Sequence, residues 1–194
     1  QWIYKDAESG GLMYKLLTRT HKKRRKQRKY GSLRCLIPNR VDISKRPVVV
    51  DKRQRYGDWE GDTVVGHRHS GRLVTHVERK SRFLLCTKTK DGTAKSFNNA
   101  SLKLFSKMPL TYRKTLTLDN GKENAAFSKL EEKLGFKIYF AKPYASWERG
   151  CNENTNGMIR RYFPKGTDFL KVSHQSLAKV INLLNHRPRK CLKY

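Results

Sequence analysis

The order of strand-like and helix-like segments constrains the fold of this chain more than any other feature of its sequence. Three β-rich runs, residues 59–66, 72–78 and 82–89, follow one another closely. The turns between them, HRHSG and RKS, are short enough to join antiparallel neighbours. We therefore predict a three-stranded antiparallel meander in this part of the chain.

A strand–helix–strand unit is predicted further along the chain. Residues 115–118 indicate a short strand that ends at Asp119. The next two residues, Asn120 and Gly121, are typical of a tight hairpin, but no alternating strand returns after them. Instead, apolar residues recur at helical spacing, at Phe127, Leu130 and Leu134. Because this helix leads into the apolar run 136–140, the two strands are expected to be parallel.

Three further helices complete the pattern. Apolar residues at helical spacing predict one within residues 93–108, which Pro109 ends. A second helix is expected to begin near Asn152, and a third to be capped by Ser173 and stopped at Pro188. The sequence therefore predicts an α/β fold in which helices flank a mixed five-stranded sheet.

Three acidic residues stand at positions that suggest chemistry. Asp62 falls in the middle of the first strand, on the same face as Glu60, where a carboxylate is a poor strand former and needs compensation. Asp119 ends a parallel strand, where ligands of α/β sheets tend to bind. Glu153 shares one side of a predicted helix with Arg160. The sequence therefore makes Asp62, Asp119 and Glu153 candidate functional residues.

Each of these acids also has a purely structural explanation. Asp62 could lie on a solvated sheet face, Asp119 could serve a tight turn, and Glu153 would be favoured in the first turn by the helix dipole. The other side of the same helix, with Ile159, Tyr162 and Phe163, is predicted to be packed. Position alone leaves both explanations of the three acids open.

The charge of the chain indicates a polyanionic partner. Its 194 residues carry 44 Lys and Arg against 16 Asp and Glu, a formal net charge of +28. Nucleic acid is the leading partner and an anionic membrane surface is the main competitor. No apolar run approaches the roughly 18 to 20 residues that span a bilayer, and no secretory signal is recognisable. With 37% hydrophobic residues, the charge is expected to coat a folded body.

The positive charge is most concentrated in residues 15–34, which contain ten Lys or Arg and no acid. Such a block is expected to repel itself unless phosphates neutralise it. It is either a solvated linker or localisation signal, or an arm that binds the nucleic-acid backbone. The backbone-binding hypothesis assigns DNA contacts to Lys22, Lys23, Arg24, Arg25 and Lys26.

The four cysteines, Cys35, Cys86, Cys151 and Cys191, form no C-x-x-C pair. A zinc ribbon or a disulfide framework is therefore not expected, and we predict reduced thiols.

Several motifs together resemble one known family. DWEGDTVVG, LVTHVERKSRF, TLTLDNGKEN, PYASWERGCNENTNGMIRRYFPKGTD and LNHRPRK occur in that order. They resemble the integrase-core transposases of the insertion-sequence family typified by element number thirty, over residues 58–190. The resemblance implies a ribonuclease H-like fold and an acid triad of Asp62, Asp119 and Glu153. Glu148 is the nearest rival acid, but the motif aligns Glu153 with the catalytic glutamate.

The resemblance also implies a reaction and its partners. The triad would be both catalytic and metal-binding, holding Mg²⁺ or Mn²⁺, two ions in all, around a scissile phosphate. The site would cleave double-stranded DNA at transposon ends and join the 3′-hydroxyl to target DNA. Arg160, Arg161 and Lys165 would contact the DNA backbone. The protein would act as at least a dimer on DNA, in the bacterial cytoplasm at the nucleoid, and not at a membrane.

The expected organisation is a basic extension and linker over residues 1–57, followed by the catalytic core over 58–194. The extension resembles the tail of a DNA-binding region, so the chain is expected to be a fragment of a longer transposase. Two alternatives stay open: a truncated, noncatalytic DNA-binding derivative that acts as a regulator, or a ribonuclease H-like nuclease. In the last motif, Asn185 and Arg187 have a structural role as plausible as a catalytic one.

Overall fold

A five-stranded mixed sheet forms the centre of the computed structural model, which describes residues 2–17, 37–67, 70–143 and 145–192. Its strands lie in the order β3-β2-β1-β4-β5. They are β1 (Asp58–Val65), β2 (Arg72–Glu78), β3 (Leu84–Thr89), β4 (Thr115–Leu118) and β5 (Lys137–Phe140). The pairs β1–β2 and β2–β3 are antiparallel, whereas β1–β4 and β4–β5 are parallel. The predicted meander and parallel unit are both confirmed.

The described part of the chain contains six α-helices. They are α1 (Trp2–Glu8), α2 (Val48–Asp51), α3 (Ala94–Phe105), α4 (Ser128–Leu134), α5 (Gly150–Tyr162) and α6 (His174–His186). Short 3₁₀ helices cover Met13–Leu16, Ile43–Lys45, Leu110–Tyr112, Lys122–Asn124, Ser146–Arg149 and Lys190–Leu192.

Two hydrophobic cores, one on each face, hold the helices to the sheet. One core includes Trp59, Phe97, Phe105, Leu118 and Leu130, and it joins the sheet to α3 and α4. The other includes Val64, Leu73, Ile159, Phe169 and Leu177, and it joins the sheet to α5 and α6. Because Trp59 and Val64 fall in different cores, the predicted alternation of β1 is confirmed.

Local signals explain where the helices begin and end. The hydroxyl of Thr93 accepts the Ser96 backbone N–H at the start of α3, and Ser173 does the same for α6 through Ser176. Gly135 follows α4 with φ 71°, the left-handed conformation that glycine adopts without strain. β3 begins at Leu84, two residues later than predicted, because Arg82 adopts a left-handed conformation with φ 63° just after the turn that follows β2.

The segment before β1 packs against the sheet. Asp42 forms a bridge with Phe140 of β5, while Arg46 and Val50 are buried. The Arg46 guanidinium donates to Thr117 Oγ1 of β4 at 2.8 Å. The division of the chain at residue 57 stays a prediction. Residues 42–50 of the proposed linker nevertheless contact strands β4 and β5 of the sheet.

Tyr162 departs from the predicted helix sides. Ile159 and Phe163 are buried, but Tyr162 is 48% exposed. The buried face of α5 runs instead through Cys151, Asn152, Thr155 and Ile159, which are spaced to meet the sheet. Tyr162 lies at the end of the helix, beyond the edge of that contact.

The described residues include no helix long and apolar enough to cross a bilayer. Cys86, Cys151 and Cys191 are free thiols, which agrees with the predicted reduced state, and Cys35 lies outside the described residues. Burial raises the pKa of Cys86 to about 12 and that of Cys151 to about 11, so both are expected to stay as thiols at neutral pH.

Candidate active site

Asp62 lies in the middle of β1, as predicted, and its carboxylate is held from two sides. Oδ1 accepts the backbone N–H of Thr63 at 2.8 Å, and Oδ2 accepts Nδ2 of Asn156 at 2.9 Å. Asn156 is itself oriented because its Oδ1 accepts the hydroxyl of Thr75 on β2 at 3.0 Å. Burial raises the pKa of Asp62, and the nearby Arg149 acts in the opposite direction. The side chain is therefore fixed by α5 and by its own strand.

Asp119 is the first residue after β4, at the carboxyl end of a parallel strand. Its Oδ1 accepts the Gly121 backbone N–H at 3.0 Å and Nδ2 of Asn124 at 2.7 Å. A Cβ on Gly121 would lie 2.7 Å from the carboxyl group of Glu123 and 2.9 Å from that Oδ1, so a larger residue in the D-N-G turn would require these side chains to move. These contacts leave Oδ2 of Asp119 facing a different neighbour.

That neighbour is Arg149, the last residue before α5. Its Nη1 lies 3.5 Å from Oδ1 of Asp62, and its Nη2 lies 3.3 Å from Oδ2 of Asp119. Nη1 also donates to the carbonyl oxygen of Gly61 at 3.1 Å. Two carboxylates from neighbouring strands therefore share one cation, and the structure brings Asp62 and Asp119 together as predicted.

Glu153 is on α5, one helical turn after Arg149, and its side chain is exposed. Within the described ranges, no three His, Cys, Asp or Glu side chains lie together as a possible metal site. The structure thus joins two of the three predicted acids and carries the third on the helix beside them. Glu148 is half-buried and accepts the Lys142 backbone N–H at 2.7 Å, which gives this rival acid a structural role.

Glu60 anchors α5 to β1. Its carboxylate is fully buried and accepts the backbone N–H of Asn152 at 2.9 Å, next to Glu153. The same carboxylate forms an ion pair with Arg79, which is 5% exposed. This buried pair fixes the first turn of the helix that carries Glu153.

The predicted DNA-contacting residues have different surroundings. Lys22, Lys23, Arg24, Arg25 and Lys26 lie outside the described residues. Arg161 and Lys165 are exposed, whereas Arg160 is half-buried and donates to the carbonyl oxygens of Val65 and Pro164. Arg160 therefore ties the end of α5 to the end of β1, and this contact accounts for its position without DNA.

Asn185 has a structural role. Its Oδ1 accepts the Leu84 backbone N–H at 2.8 Å, and its Nδ2 donates to the Leu84 carbonyl oxygen at 2.9 Å. The side chain therefore pairs with the edge strand β3 and fastens α6 to it. The partner of Arg187 is the sulfur of Met158 on α5, at 3.4 Å.

Sequence reasoning missed Arg149 and the anchoring role of Glu60. The alternation of side chains along β1 put Glu60 on the same face as Asp62, so the sequence did indicate that Glu60 lies near the site. Arg149 had no such signal beyond its presence in the W-E-R-G motif, because residues 141–151 show no periodicity that predicts the direction of a side chain. Asn156 follows Glu153 by three residues on α5, and its contact with Asp62 depends on how α5 crosses β1.

The chain is homologous to known transposases. Over 194 residues it is 40% identical to the transposase of insertion sequence element IS4351 from Bacteroides fragilis, of which it spans 59%. Over 158 residues, 81% of the chain, it is 40% identical to transposase InsI of element IS30A from Escherichia coli (strain K12), of which it spans 41%. The chain is a homologue of IS30-family transposases. No family model matches it.

Solved structures place this transposase homologue in the ribonuclease H-like fold. The catalytic core domain of BIV integrase matches 70% of the chain with a TM-score of 0.52 and 17% identity, over 87% of its own length. The HTLV-2 integrase catalytic core domain, in complex with magnesium, matches 70% of the chain with a TM-score of 0.53 and 19% identity, over 90% of its own length. The predicted fold class is confirmed.

Proposed function

We propose that this chain is the catalytic core of a DNA transposase, which cleaves DNA at transposon ends and transfers the 3′-hydroxyl into target DNA. The observation that carries the proposal is the convergence of Asp62 and Asp119 on one shared cation at neighbouring strands. The homology to IS30-family transposases supports the reaction class. Because the chain spans about half the length of these relatives, their whole activity is part of the proposal.

Two of the three proposed ligands, Asp62 and Asp119, are arranged in a way that fits a divalent metal ion. Asp62 and Asp119 already direct carboxylate oxygens at one cation, and hard divalent ions prefer oxygen ligands. Glu153, on the adjoining helix, is proposed as the third ligand. Mg²⁺ or Mn²⁺ is the proposed ion, and the magnesium complex of the HTLV-2 integrase core supports this choice.

Two such ions, when bound, would activate an attacking water or 3′-hydroxyl and stabilise the leaving oxygen. The residues of the chain supply the framework for this step. Asn156 orients Asp62, while Gly121 and Asn124 fix Asp119. Glu60 holds the first turn of α5 against the sheet. Asp62 and Asp119 are thus held by neighbouring groups, and Glu153 lies on a helix whose first turn is fastened to the sheet.

Double-stranded DNA is the proposed partner. Arg161 at the end of α5 and Lys165 just after it are exposed, and both are proposed to contact the backbone. A dimer or larger assembly on DNA is also proposed, supported by the dimeric form of the HTLV-2 integrase core. Action in the bacterial cytoplasm at the nucleoid is proposed as well, because both relatives are bacterial transposases and the proposed substrate is DNA.

The test replaces Asp119 with asparagine, which keeps the shape of the side chain but removes its charge. With Mn²⁺ and supercoiled plasmid, we expect the wild type to give nicked and joined products. Asp119→Asn should lower their rate by about a hundredfold or more, because the metal ions lose a charged ligand. DNA affinity, measured by fluorescence anisotropy, should stay within about twofold because catalysis and DNA occupancy use different groups.

The matched control is Asp91→Asn. Asp91 is exposed and accepts the Thr93 backbone N–H two residues on, as Asp119 does with Gly121. It follows the edge strand β3, which is separated from β1 by β2. Its variant should keep the wild-type rate. Equal nicking by Asp119→Asn and the wild type would sink the proposal.

A noncatalytic DNA-binding regulator is the second candidate. It is favoured by the exposed position of Glu153, which the described structure does not group with Asp62 and Asp119. This candidate predicts wild-type DNA binding with no nicked or joined product. A ribonuclease H-like nuclease would instead give nicks without joined DNA.

A further inference from the structure

Arg149 occupies the position between the two aspartates. Its side chain is 14% exposed, and both terminal nitrogens face carboxylate oxygens. Its Nε is buried and has no hydrogen-bond partner among the described residues. An arginine with unused donor capacity at such a place is held there by charge more than by a complete set of hydrogen bonds.

The oxygens that Arg149 contacts are the ones a metal ion would need. On Asp119, Oδ1 is taken by Gly121 and Asn124, so Oδ2 is the oxygen that faces the site. On Asp62, Oδ2 accepts Nδ2 of Asn156. Oδ1 accepts the Thr63 backbone N–H at 2.8 Å and also lies 3.5 Å from Nη1 of Arg149, so its second lone pair is the one a metal ion would use. A guanidinium and a divalent cation repel each other, so both cannot use the same two oxygens at close range.

We propose that Arg149 is a displaceable counter-cation: it holds Asp62 and Asp119 together and withdraws when a divalent cation binds to the same oxygens. This inference rests on the proposed function, since it concerns the metal ligands of that site. Arg149 ends the 3₁₀ helix Ser146–Arg149 and immediately precedes α5. Its withdrawal therefore moves the segment that leads into the helix of Glu153, which links cation binding to the placement of the third acid.

A fixed structural clasp is the competing explanation, and it makes the opposite prediction. If Arg149 only fastened α5 to the sheet, removing it would loosen the site and weaken metal binding. If Arg149 competes with the cation, removing it strengthens metal binding, because the two aspartates are left to repel each other until the ion arrives.

The test compares the wild-type chain with Arg149→Gln by Mn²⁺ titration calorimetry and by thermal unfolding in EDTA. We expect the variant to bind Mn²⁺ about threefold to tenfold more tightly. Its Tm in EDTA should fall by roughly 3 to 6 °C, because the aspartates lose their counter-charge. Saturating Mn²⁺ should remove most of that Tm difference, because a tighter ligand stabilises more.

The matched control is Arg55→Gln, which breaks an ion pair with another aspartate of β1. Arg55 Nε lies 2.9 Å from Oδ2 of Asp58, a side chain that is 1% exposed. Asp58 is four residues from Asp62, about 13 Å along an extended strand. This variant should also unfold at a lower temperature, but its Mn²⁺ affinity should stay within about twofold because salt screens the lost charge over that distance.

The outcomes separate the inference from the proposed function. Equal or weaker Mn²⁺ binding by Arg149→Gln, with normal binding by the wild type, overturns the displacement of Arg149 alone. Absence of Mn²⁺ binding in both folded proteins overturns the metal-dependent function and this inference together. If Arg149→Gln does not fold, Arg149→Lys decides: its single ammonium should give a smaller gain in affinity, and no gain overturns the inference.

Discussion

His76 shows how one buried residue shapes the strand that carries Asp62. It pairs with Gly61 across β1 and β2, and a Cβ on Gly61 would lie 3.0 Å from its Nδ1. Its Nε2 lies 2.9 Å from Oγ of Ser101, which donates its own proton to the Phe97 carbonyl oxygen. Nε2 therefore carries the imidazole proton, and Nδ1 has no hydrogen-bond partner among the residues that the structure describes. The glycine of the W-E-G-D motif makes room for Leu118, whose Cδ2 would lie 2.6 Å from that Cβ, and for this ring.

The first prediction concerns the pH dependence of stability. Burial lowers the pKa of His76 to about 3, below its ordinary value near 6.5. The native state therefore favours the neutral ring, and His76 makes stability fall as the pH drops below about 6.5 toward 3. Between pH 7 and pH 5, this one group should remove about 2 kcal/mol of unfolding free energy.

Urea unfolding of the wild type and His76→Gln at the two pH values measures this contribution. Glutamine keeps a donor for Ser101 but does not titrate. The variant should be less stable at pH 7, yet should lose about 2 kcal/mol less between pH 7 and pH 5. If both proteins lose the same unfolding free energy between pH 7 and pH 5, protonation of His76 does not contribute to the pH dependence of stability.

At the scale of elements, the contact between α5 and β1 determines the geometry of the site. α5 begins at Gly150, and its buried residues face the sheet while Glu153 is exposed. Two hydrogen bonds connect the two elements. Glu60 of β1 accepts the backbone N–H of Asn152 in α5, and Asn156 of α5 donates to the carboxylate of Asp62 in β1. A small rotation of α5 would therefore alter the surroundings of Asp62 and Glu153 together.

The second prediction tests the anchor of α5. Glu60→Gln removes a buried charge from its partner Arg79, so unfolding free energy should fall by about 3 kcal/mol or more. The backbone amide of Asn152 should also exchange its hydrogen faster, because its acceptor is no longer charged. Denaturant unfolding and hydrogen exchange measure the two effects.

Glu131→Gln is the matched control for this change. The Glu131 carboxylate also accepts a backbone N–H, that of Ile138 at 2.9 Å, but the side chain is only half-buried. Its replacement should cost about 1 kcal/mol. If Glu60→Gln costs no more than this, the pair with Arg79 does not hold α5 in place.

The whole molecule is dominated by its net charge of +28. The structure places α5, with exposed Arg161 at its end, on one sheet face, and α3 and α4 on the other. If DNA lies against the α5 side and the basic arm of residues 15–34, charges on α3 and α4 contribute little to its binding.

The third prediction uses this asymmetry. The five basic residues of the arm, Lys22, Lys23, Arg24, Arg25 and Lys26, are replaced together by serine. The slope of log affinity against log salt should become shallower by up to about 4.5, because each phosphate contact contributes about 0.9. Fluorescence anisotropy with a DNA duplex at several salt concentrations gives the slope.

The control removes the same charge from the other face. Five exposed lysines lie on or next to α3 and α4: Lys95, Lys103, Lys107, Lys129 and Lys133. Their replacement by serine should change the slope by less than about 1. Equal changes in both proteins would indicate that the charge acts through the total field and that the arm makes no phosphate contacts of its own.

Much of the fold was predictable from the sequence because it depends on local patterns. Period-two alternation gave β1 its two faces, helical spacing and Gly135 gave α4, and Ser173 gave the start of α6. The order of these elements indicated which strands are parallel, and so placed Asp119 at a strand end. These features can be predicted because they depend only on residues that are close together in the sequence.

The tertiary structure alone decided what surrounds the acids. Arg149 meets Asp119 across 30 residues and Gly61 across 88, and Glu60 meets the start of α5 across 92. No periodicity connects such positions, because their distances depend on how α5 crosses the sheet. The sequence therefore determined Asp62, Asp119 and Glu153 as candidates, whereas the packing of α5 placed an arginine between the first two and left the third exposed.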